Sequence, residues 1–310
     1  MENKISGEHH KIGPTADLVS YWREFSDIPY ANEISKLANA KQVAENIFKN
    51  NLPNLPSEAI TKILNTFTQN FGKVFIEGRY KCLNQQIKRV GIKQIYEAAS
   101  GICPRCINIT QDSSVKYVAT DLPERLSGNK GLLKQVMKNH MITRPNLYFS
   151  PINVLDKKSF IDGAKPLGKG PVAFIHEGLL PYFPQREKQI FGENVRSLLE
   201  KTGGVWITPD IMYKDAIQKR MDTKSPQERE MSLLFLSAVS GVSGRDLLYN
   251  AFETETHADK FFKDLGFSIE KYSMYDGSYE LSVLKNLPED AKNNALGALK
   301  SGHIYVARLK

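Results

Sequence analysis

Residues 92–121 read IKQIYEAASGICPRCINITQDSSVKYVATD, and this stretch decides the fold. It contains two short apolar runs, residues 92–99 and 115–121, with an irregular Cys-Pro turn after the first. Short apolar runs bounded by turn residues are typical of strands that are buried on both faces of a parallel sheet. We therefore expect this stretch to form the first two strands of an α/β sheet.

The alternation of apolar runs and helices continues to the end of the chain. Further runs lie at residues 146–153, 171–177, 204–209, 267–274 and 303–309, and candidate helices lie at 127–139, 156–164, 184–201 and 257–265. This alternation predicts βαβ units and a parallel sheet covered on both faces. The last two runs are joined by a long segment without a clear crossover helix, so they predict an antiparallel pair at the sheet edge. A seven-stranded sheet of this kind resembles the Rossmann-like sheet of class I methyltransferases, although other doubly wound enzymes remain possible on this pattern alone.

Two segments lie outside the alternation. Residues 1–90 carry helical stripes of apolar residues, and residues 212–256 form a long, partly helical insertion between the fifth and sixth strands. Such an insertion lies over the carboxyl ends of the strands, where open α/β sheets bind ligands. We predict a single α/β domain over residues 1–310, with an N-terminal helical cap (1–90), a cofactor-binding core (91–211), a helical lid (212–256) and the C-terminal part of the sheet (257–310).

The composition favours a cytoplasmic protein. The chain has 42 basic and 34 acidic residues, a formal charge of +8, and the basic residues are scattered among acidic ones. This distribution favours a solvated basic surface over a nucleic-acid interface. No window approaches the roughly 18 apolar residues of a membrane helix, and the polar residues 1–11 lack the apolar core of a secretory signal. The three cysteines are too few for a disulfide framework and suit a reducing compartment.

Acidic residues mark the ends of the first two strands. Glu97 precedes a run of small residues that lets a ligand approach the backbone, and Asp121 closes the second strand. An acid about 20 residues beyond the first turn stands where nucleoside sites hold the ribose hydroxyls. The three-glycine dinucleotide fingerprint is absent, and a tight turn with a solvated aspartate is the structural alternative. Together the two strand ends favour a nucleoside site.

Four separated pieces of the sequence resemble the leucine carboxyl methyltransferase family, which also holds many bacterial small-molecule O-methyltransferases. They are Pro14-Thr15-Ala16 with Arg23 and Asp27-Ile28-Pro29-Tyr30-Ala31, then Gly78-Arg79-Tyr80 with residues 95–105, then residues 118–123, and finally residues 174–183, FIHEGLLPYF. The pieces occur in order and cover most of the chain. The sequence departs from the family pattern at Ala99, Ser100, Cys103 and Asn153.

The resemblance implies S-adenosyl-L-methionine as the cofactor. The binding residues that it implies are Arg79, Glu97, Ala98, Ala99, Gly101, Asp121, Leu122, Asn153, Val154 and Glu177. Arg79, at the opening of a helix, would pair with the methionine carboxylate, and Glu97 with the 98–101 backbone would hold the methionine end. Asp121 would bind the ribose and Asn153 would meet the adenine, while Glu177 would lie beneath the amino group.

The reaction that the resemblance implies is methylation of a carboxylate or hydroxyl oxygen of a small molecule. A carboxylate is already anionic and needs no general base, whereas a hydroxyl would use one, such as His176. Strand alternation points His176 and Glu177 to opposite faces, which favours a packed histidine. The sequence has no obvious His/Asp pair, which favours a carboxylate or an acidic hydroxyl. No catalytic residue is assigned.

Aromatic residues are predicted to surround the acceptor. Tyr21, Tyr30 and Tyr182, together with Trp22, would form a wall built by the N-terminal helices and the 212–256 insertion. Core packing is the alternative for these side chains.

Several other hypotheses about the function remain open or are disfavoured by the sequence. Cys103-Pro104-Arg105-Cys106 has no second Cys/His pair at zinc spacing, so no metal site is predicted. A protein C-terminal carboxylate is a less favoured acceptor, and a cofactor-binding module without turnover is the non-enzymatic alternative. Nucleic-acid amino methylation is disfavoured because Glu177-Gly178-Leu179 replaces the Asn/Asp-Pro-Pro-aromatic element. The oligomeric state is left open.

Overall fold

The computed structural model describes residues 13–310, so the polar stretch of residues 1–11 lies outside the described residues. Within residues 13–310, seven strands form one sheet in the order β3-β2-β1-β4-β5-β7-β6. The strands are β1 (Gln94–Ala98), β2 (Lys116–Asp121), β3 (Leu147–Pro151), β4 (Val172–His176), β5 (Gly204–Thr208), β6 (Phe267–Ser273) and β7 (His303–Leu309). Strands β1 to β5 are parallel, and β7 runs antiparallel to both β5 and β6. The predicted fold class, a Rossmann-like α/β sheet of the class I methyltransferase type with an antiparallel C-terminal edge, is confirmed.

Helices cover both faces of the sheet and its carboxyl edge. In chain order they are α1 (Gly13–Arg23), α2 (Ala31–Leu37), α3 (Ala40–Asn51), α4 (Ser57–Phe67), α5 (Lys73–Val90), α6 (Arg105–Ile109), α7 (Pro123–Asn139), α8 (Lys157–Gly163), α9 (Gln185–Thr202), α10 (Lys214–Asp222), α11 (Pro226–Ser243), α12 (Leu247–Asn250), α13 (Glu255–Asp264) and α14 (Glu289–Ser301). A π-helical turn, Thr68–Gly72, joins α4 to α5, and short 3₁₀ turns lie at Leu180–Tyr182 and Ser282–Asn286. No helix among the described residues is long and apolar enough to cross a membrane.

The apolar runs of the central strands, β1, β2, β4 and β5, form strands because both of their faces are buried. Ile95 and Ala173 belong to the cluster that packs under α5, α7 and α14, whereas the neighbouring Tyr96 and Phe174 belong to the cluster under α8, α9 and α13. Period-two alternation sends successive side chains to opposite faces, so a doubly covered strand must be apolar throughout. In β1, β2 and β4 the acidic and histidine side chains accordingly lie at or next to the carboxyl end of the strand.

The N-terminal helices and the insertion pack against each other in a third apolar cluster. Phe67 of the N-terminal part stacks on Phe235 of α11 with ring centroids 3.5 Å apart. Trp22 lies in the same cluster and donates a hydrogen bond to the Thr68 hydroxyl at 2.9 Å. The insertion therefore backs the N-terminal helices.

Two expectations about helices are wrong. The segment between β6 and β7 does contain a helix, α14, whose buried stripe consists only of Ala295, Ala298 and Leu299. Such a narrow, alanine-rich stripe gives a weak periodic signal. Arg79 lies inside the 18-residue helix α5 and not at a helix start, because the π-helical turn continues the helical chain through Gly72.

Candidate functional site

A cleft opens at the carboxyl ends of β1, β2, β3 and β4, with α1 across it. Every predicted cofactor residue except Ala98 lines this cleft: Arg79, Glu97, Ala99, Gly101, Asp121, Leu122, Asn153, Val154 and Glu177. Ala98 is fully buried within β1, where it packs in the core. From α1, the residues Gly13, Thr15, Ala16, Val19 and Arg23 also line it.

The loop after β1 is held in a left-handed conformation. Ala99 has φ 50° and Gly101 has φ 56°. A non-glycine residue in this region costs roughly 1 kcal/mol, so Ala99 is a strained position. A Cβ at position 101 would lie 3.3 Å from the Ala16 Cβ, so α1 approaches this loop closely. The Ser100 amide donates to the Thr120 carbonyl at 2.8 Å and ties the loop to β2.

Asp121 faces the cleft and also holds the loop after β1. Its Oδ2 accepts from the Gly101 amide at 3.1 Å and from the Asn129 side chain at 3.0 Å, and its Oδ1 accepts from the Leu122 amide at 2.8 Å. Burial raises the pKa of the Asp121 carboxyl despite these hydrogen bonds. The carboxylate thus links two strand ends within the cleft.

Three arginines and two glutamates form a buried cluster beside the loop, which we call the arginine–glutamate cluster (Arg23, Arg79, Arg105, Glu97 and Glu177). Glu177 Oε1 lies 3.0 Å from Arg79 Nε and 3.6 Å from Arg23 Nη2, and Glu177 Oε2 pairs closely with Arg105. Arg105 Nη1 lies 2.7 Å from Glu97 Oε1. Arg105 is fully buried and joins the two carboxylates.

The charges of this cluster do not balance. Burial alone would raise the pKa of Glu177, but the guanidiniums of Arg105, Arg79 and Arg23 lower it to about 2. Burial raises the pKa of Glu97, and the Arg105 charge only partly offsets this effect. Three guanidiniums face at most two carboxylates, so the cluster carries excess positive charge. Arg23 Nε is buried and has no hydrogen-bond partner among the described residues.

His176 is packed in the core and does not line the cleft. Its Nδ1 lies 2.9 Å from Asp210 Oδ2, and its Nε2 accepts from the Trp206 indole at 2.9 Å. The indole N–H requires an unprotonated Nε2, so the ring proton lies on Nδ1 and points at Asp210. A His/Asp pair therefore exists, although the sequence shows none, and both ring nitrogens are engaged within the protein.

Asp210 fixes the chain that follows β4. It accepts from the Gly178 amide at 2.7 Å and from the Leu179 amide at 2.8 Å. Burial would raise the pKa of Asp210, but the hydrogen bonds that it accepts from His176 and the Gly178 amide, together with the Arg79 charge, lower it. It lies two residues beyond the end of β5, near the carboxyl edge of the sheet where Asp121 ends β2.

Of the three tyrosines predicted to bind the acceptor, Tyr182 lines the cleft and the other two lie elsewhere. The Tyr182 hydroxyl hydrogen-bonds with Thr15 of α1. Tyr21 is buried with Trp22 in the cluster of the N-terminal helices. Tyr30 precedes α2 and packs edge-on against His140, with ring centroids 5.0 Å apart. The sequence pattern could not separate these packing roles from a ligand-binding role.

The expectation that the 212–256 insertion helps to build the wall of the acceptor site is wrong for this cleft. All of residues 212–256 are described, and none of them lines the cleft. Cys103 lines it and Cys106 lies in the core, and burial raises the pKa of both thiols. Residues 13–310 hold no group of three or more His, Cys, Asp or Glu side chains placed to bind a metal ion.

Comparison with known proteins gives similarity at the level of the fold. No family model matches the sequence, and no curated protein matches it significantly. A DUF574 family protein from Streptomyces avermitilis is 15% identical, covers 96% of this chain and 97% of its own, and has a TM-score of 0.54. The chain has a class I methyltransferase fold. The resemblance to the leucine carboxyl methyltransferase family stays a prediction.

Two further solved structures are similar with lower scores. Magnesium protoporphyrin IX methyltransferase from Synechocystis, solved with SAH bound, is 14% identical over 77% of this chain and 87% of its own, with a TM-score of 0.45. An O-methyltransferase family protein from Burkholderia thailandensis is 12% identical over 87% of this chain and 72% of its own, with a TM-score of 0.47.

Proposed function

We propose that this chain is a methyltransferase that binds S-adenosylmethionine in the cleft and methylates an oxygen of a small molecule. The observation that carries the proposal is the combination, at one sheet edge, of the Asp121 carboxylate and an arginine–glutamate cluster with excess positive charge. Open α/β sheets bind nucleotides at this edge.

The lining residues fit the parts of this cofactor. Its carboxylate would be held by Arg79 and by Arg23, whose buried Nε has no partner among the described residues. Its ribose would be held by Asp121, and its adenine by Asn153 with the Val154 backbone, which line the far side of the cleft. When bound, S-adenosylmethionine supplies a methyl group activated by a sulfonium.

The chain's own residues favour a carboxylate acceptor. His176, the predicted base for a hydroxyl acceptor, is buried behind the cleft with both nitrogens engaged. Burial raises the pKa of Tyr182 and of Cys103, so neither side chain is a ready base at neutral pH. A carboxylate needs no proton removed, and positioning beside the methyl group would suffice. The cover formed by α1 would exclude water from the reacting centre.

Methyl-labelled S-adenosylmethionine tests this proposal. The full chain is incubated with a panel of aliphatic and aromatic carboxylic acids and phenols, and the products are then treated with alkali. A carboxylate acceptor gives a methyl ester, which alkali cleaves to labelled methanol, whereas a methyl ether keeps its label. At subsaturating S-adenosylmethionine, Asp121→Ala should lower labelling by about tenfold or more. Asp162→Ala, at a partly exposed aspartate of α8 that pairs with Lys158 and Lys165, should not change it.

Binding of S-adenosylhomocysteine separates the ways in which this experiment can fail. Binding with no labelled product from any acceptor would favour the module without turnover. The absence of both S-adenosylhomocysteine binding and labelled product would reject the proposed function.

A further inference from the structure

Residues 177–183, which we call the wall segment, line the cleft after β4. Glu177, Gly178, Leu179, Tyr182 and Phe183 all contribute to the lining. The start of this segment is fixed by Asp210, which accepts hydrogen bonds from the Gly178 and Leu179 amides. The end of this segment, Tyr182 and Phe183, is fixed by two other residues, neither of which lines the cleft.

Lys188, in the first turn of α9, is buried and hydrogen-bonds with main-chain carbonyls. Its side chain donates to the Phe183 carbonyl at 2.7 Å and also to the Asn250 carbonyl. Its ammonium lies 5.1 Å from the centroid of the Phe252 ring. The residue is only 2% exposed, and burial lowers the pKa of its amino group to about 8. Burying an ammonium is costly unless it is hydrogen-bonded, and the two carbonyls supply these hydrogen bonds.

Asn250 completes the arrangement from the other side. It ends α12, the last helix of the insertion, and its side chain donates to the Tyr182 carbonyl at 3.2 Å. The carbonyls of Tyr182 and Phe183 are therefore both held by donors behind the wall segment. The donors come from two elements, α9 and the insertion, and Lys188 joins these elements through the Asn250 carbonyl.

We propose that Lys188 and Asn250 are positioning residues that set the place of Tyr182 and Phe183 in the cleft, and that through them the insertion determines which acceptor fits. The proposal explains how residues 212–256 can act on a cleft that they do not line. It rests on the proposed function for the identity of the cleft as an acceptor site. The positioning itself is a property of the folded chain.

Hydrogen–deuterium exchange on the full chain tests the positioning without any ligand. Lys188→Met removes the ammonium and keeps the buried length of the side chain. We expect exchange at the Tyr182 and Phe183 amides, and in residues 250–252, to rise by about tenfold or more, because both segments lose their anchor. Lys73→Met is the matched control, since Lys73 is another buried lysine whose ammonium bonds to Gln69 and not to the wall segment.

Two more variants keep the test decisive if Lys188→Met does not fold. Lys188→Arg retains charged donors and should restore most of the protection. Asn250→Ala keeps the lysine and should raise exchange in the wall segment. Wild-type exchange in this segment in both Lys188→Met and Asn250→Ala, or a uniform rise over the whole chain, would overturn the proposal.

The preference among acceptors of different size distinguishes a positioning role from a purely structural one, because a general loss of stability would not change this preference. With the labelled panel, the ratio of rates between the smallest and largest methylated acids should shift by about threefold or more in Lys188→Met and Asn250→Ala. The Kd for S-adenosylhomocysteine should stay within about threefold of wild type, since the residues proposed to hold the cofactor are untouched. An unchanged ratio in both variants would overturn the link to acceptor choice. Absence of S-adenosylhomocysteine binding to the wild type would instead reject the proposed function and leave the exchange result standing.

Discussion

Glu177→Gln is the change that probes the electrostatics of the cleft most sharply. It keeps the size of the side chain and removes the negative charge that Arg23, Arg79 and Arg105 share. The pKa of Glu177 falls from 4.5 to about 2, which corresponds to about 3 kcal/mol of favourable interaction for the carboxylate. Breaking a buried ion pair typically costs about 3–5 kcal/mol, so both arguments give the same range. We expect the variant to lose about 3 kcal/mol of unfolding free energy at pH 7.

The loss should depend on pH in a defined direction. The folded-state pKa of Glu177 is below its unfolded value, so its stabilisation is present above pH 4.5 and is lost as the pH falls toward 2. The difference in unfolding free energy between wild type and Glu177→Gln should therefore shrink to about 2 kcal/mol by pH 3.5.

Urea denaturation at pH 7, 5 and 3.5, followed by fluorescence of the two buried tryptophans, Trp22 and Trp206, measures this difference. Glu200→Gln is the matched control, because Glu200 pairs with Arg196 on the surface with both side chains about half exposed. Its effect should stay below about 0.5 kcal/mol. A Glu177→Gln variant as stable as the control, or a difference that does not change with pH, would refute the electrostatic argument.

Two other changes have definite expected outcomes. Asp121→Ala should weaken S-adenosylhomocysteine binding by about 1.5–3 kcal/mol in calorimetry, and unchanged affinity in the folded variant would remove Asp121 from the site. The variant should also lose about 1–2 kcal/mol of stability in urea denaturation, because the Gly101 and Leu122 amides lose their acceptor. Ala99→Gly should raise the unfolding free energy by roughly 1 kcal/mol, since glycine tolerates φ 50°, and a lower melting temperature would contradict the strain assigned to Ala99.

The sheet could be predicted from the sequence because its central strands, β1, β2, β4 and β5, are buried on both faces. Each of the seven apolar runs contains its strand, and the strand ends lie within two residues of the ends of the run. The helix α14 was missed because its buried face is formed by two alanines and one leucine. The hydrophobic periodicity that predicts a helix is weak when most of its buried side chains are alanines.

The site residues that could be predicted from the residue pattern are those at or near the carboxyl ends of strands. Asp121 can be predicted because it ends a strand, whereas Asp210 lies two residues beyond the end of β5 and requires the rule to include the residues just after a strand. Arg105 and Arg23 owe their places in the cluster to contacts with Glu177, which lies 72 and 154 positions further along the chain. No local pattern encodes such a pairing. Tyr21 and Trp22 show the converse, since their aromatic character fits a core as well as a pocket.

Calorimetric titration of the full chain with S-adenosylhomocysteine tests the central claim most directly. The cleft combines the Asp121 carboxylate with the buried, unpartnered Arg23 Nε among the described residues, so we expect one molecule bound per chain with a micromolar or lower Kd. A thermal shift on addition of the ligand should accompany the heat of binding. No heat and no thermal shift at millimolar ligand would contradict the account.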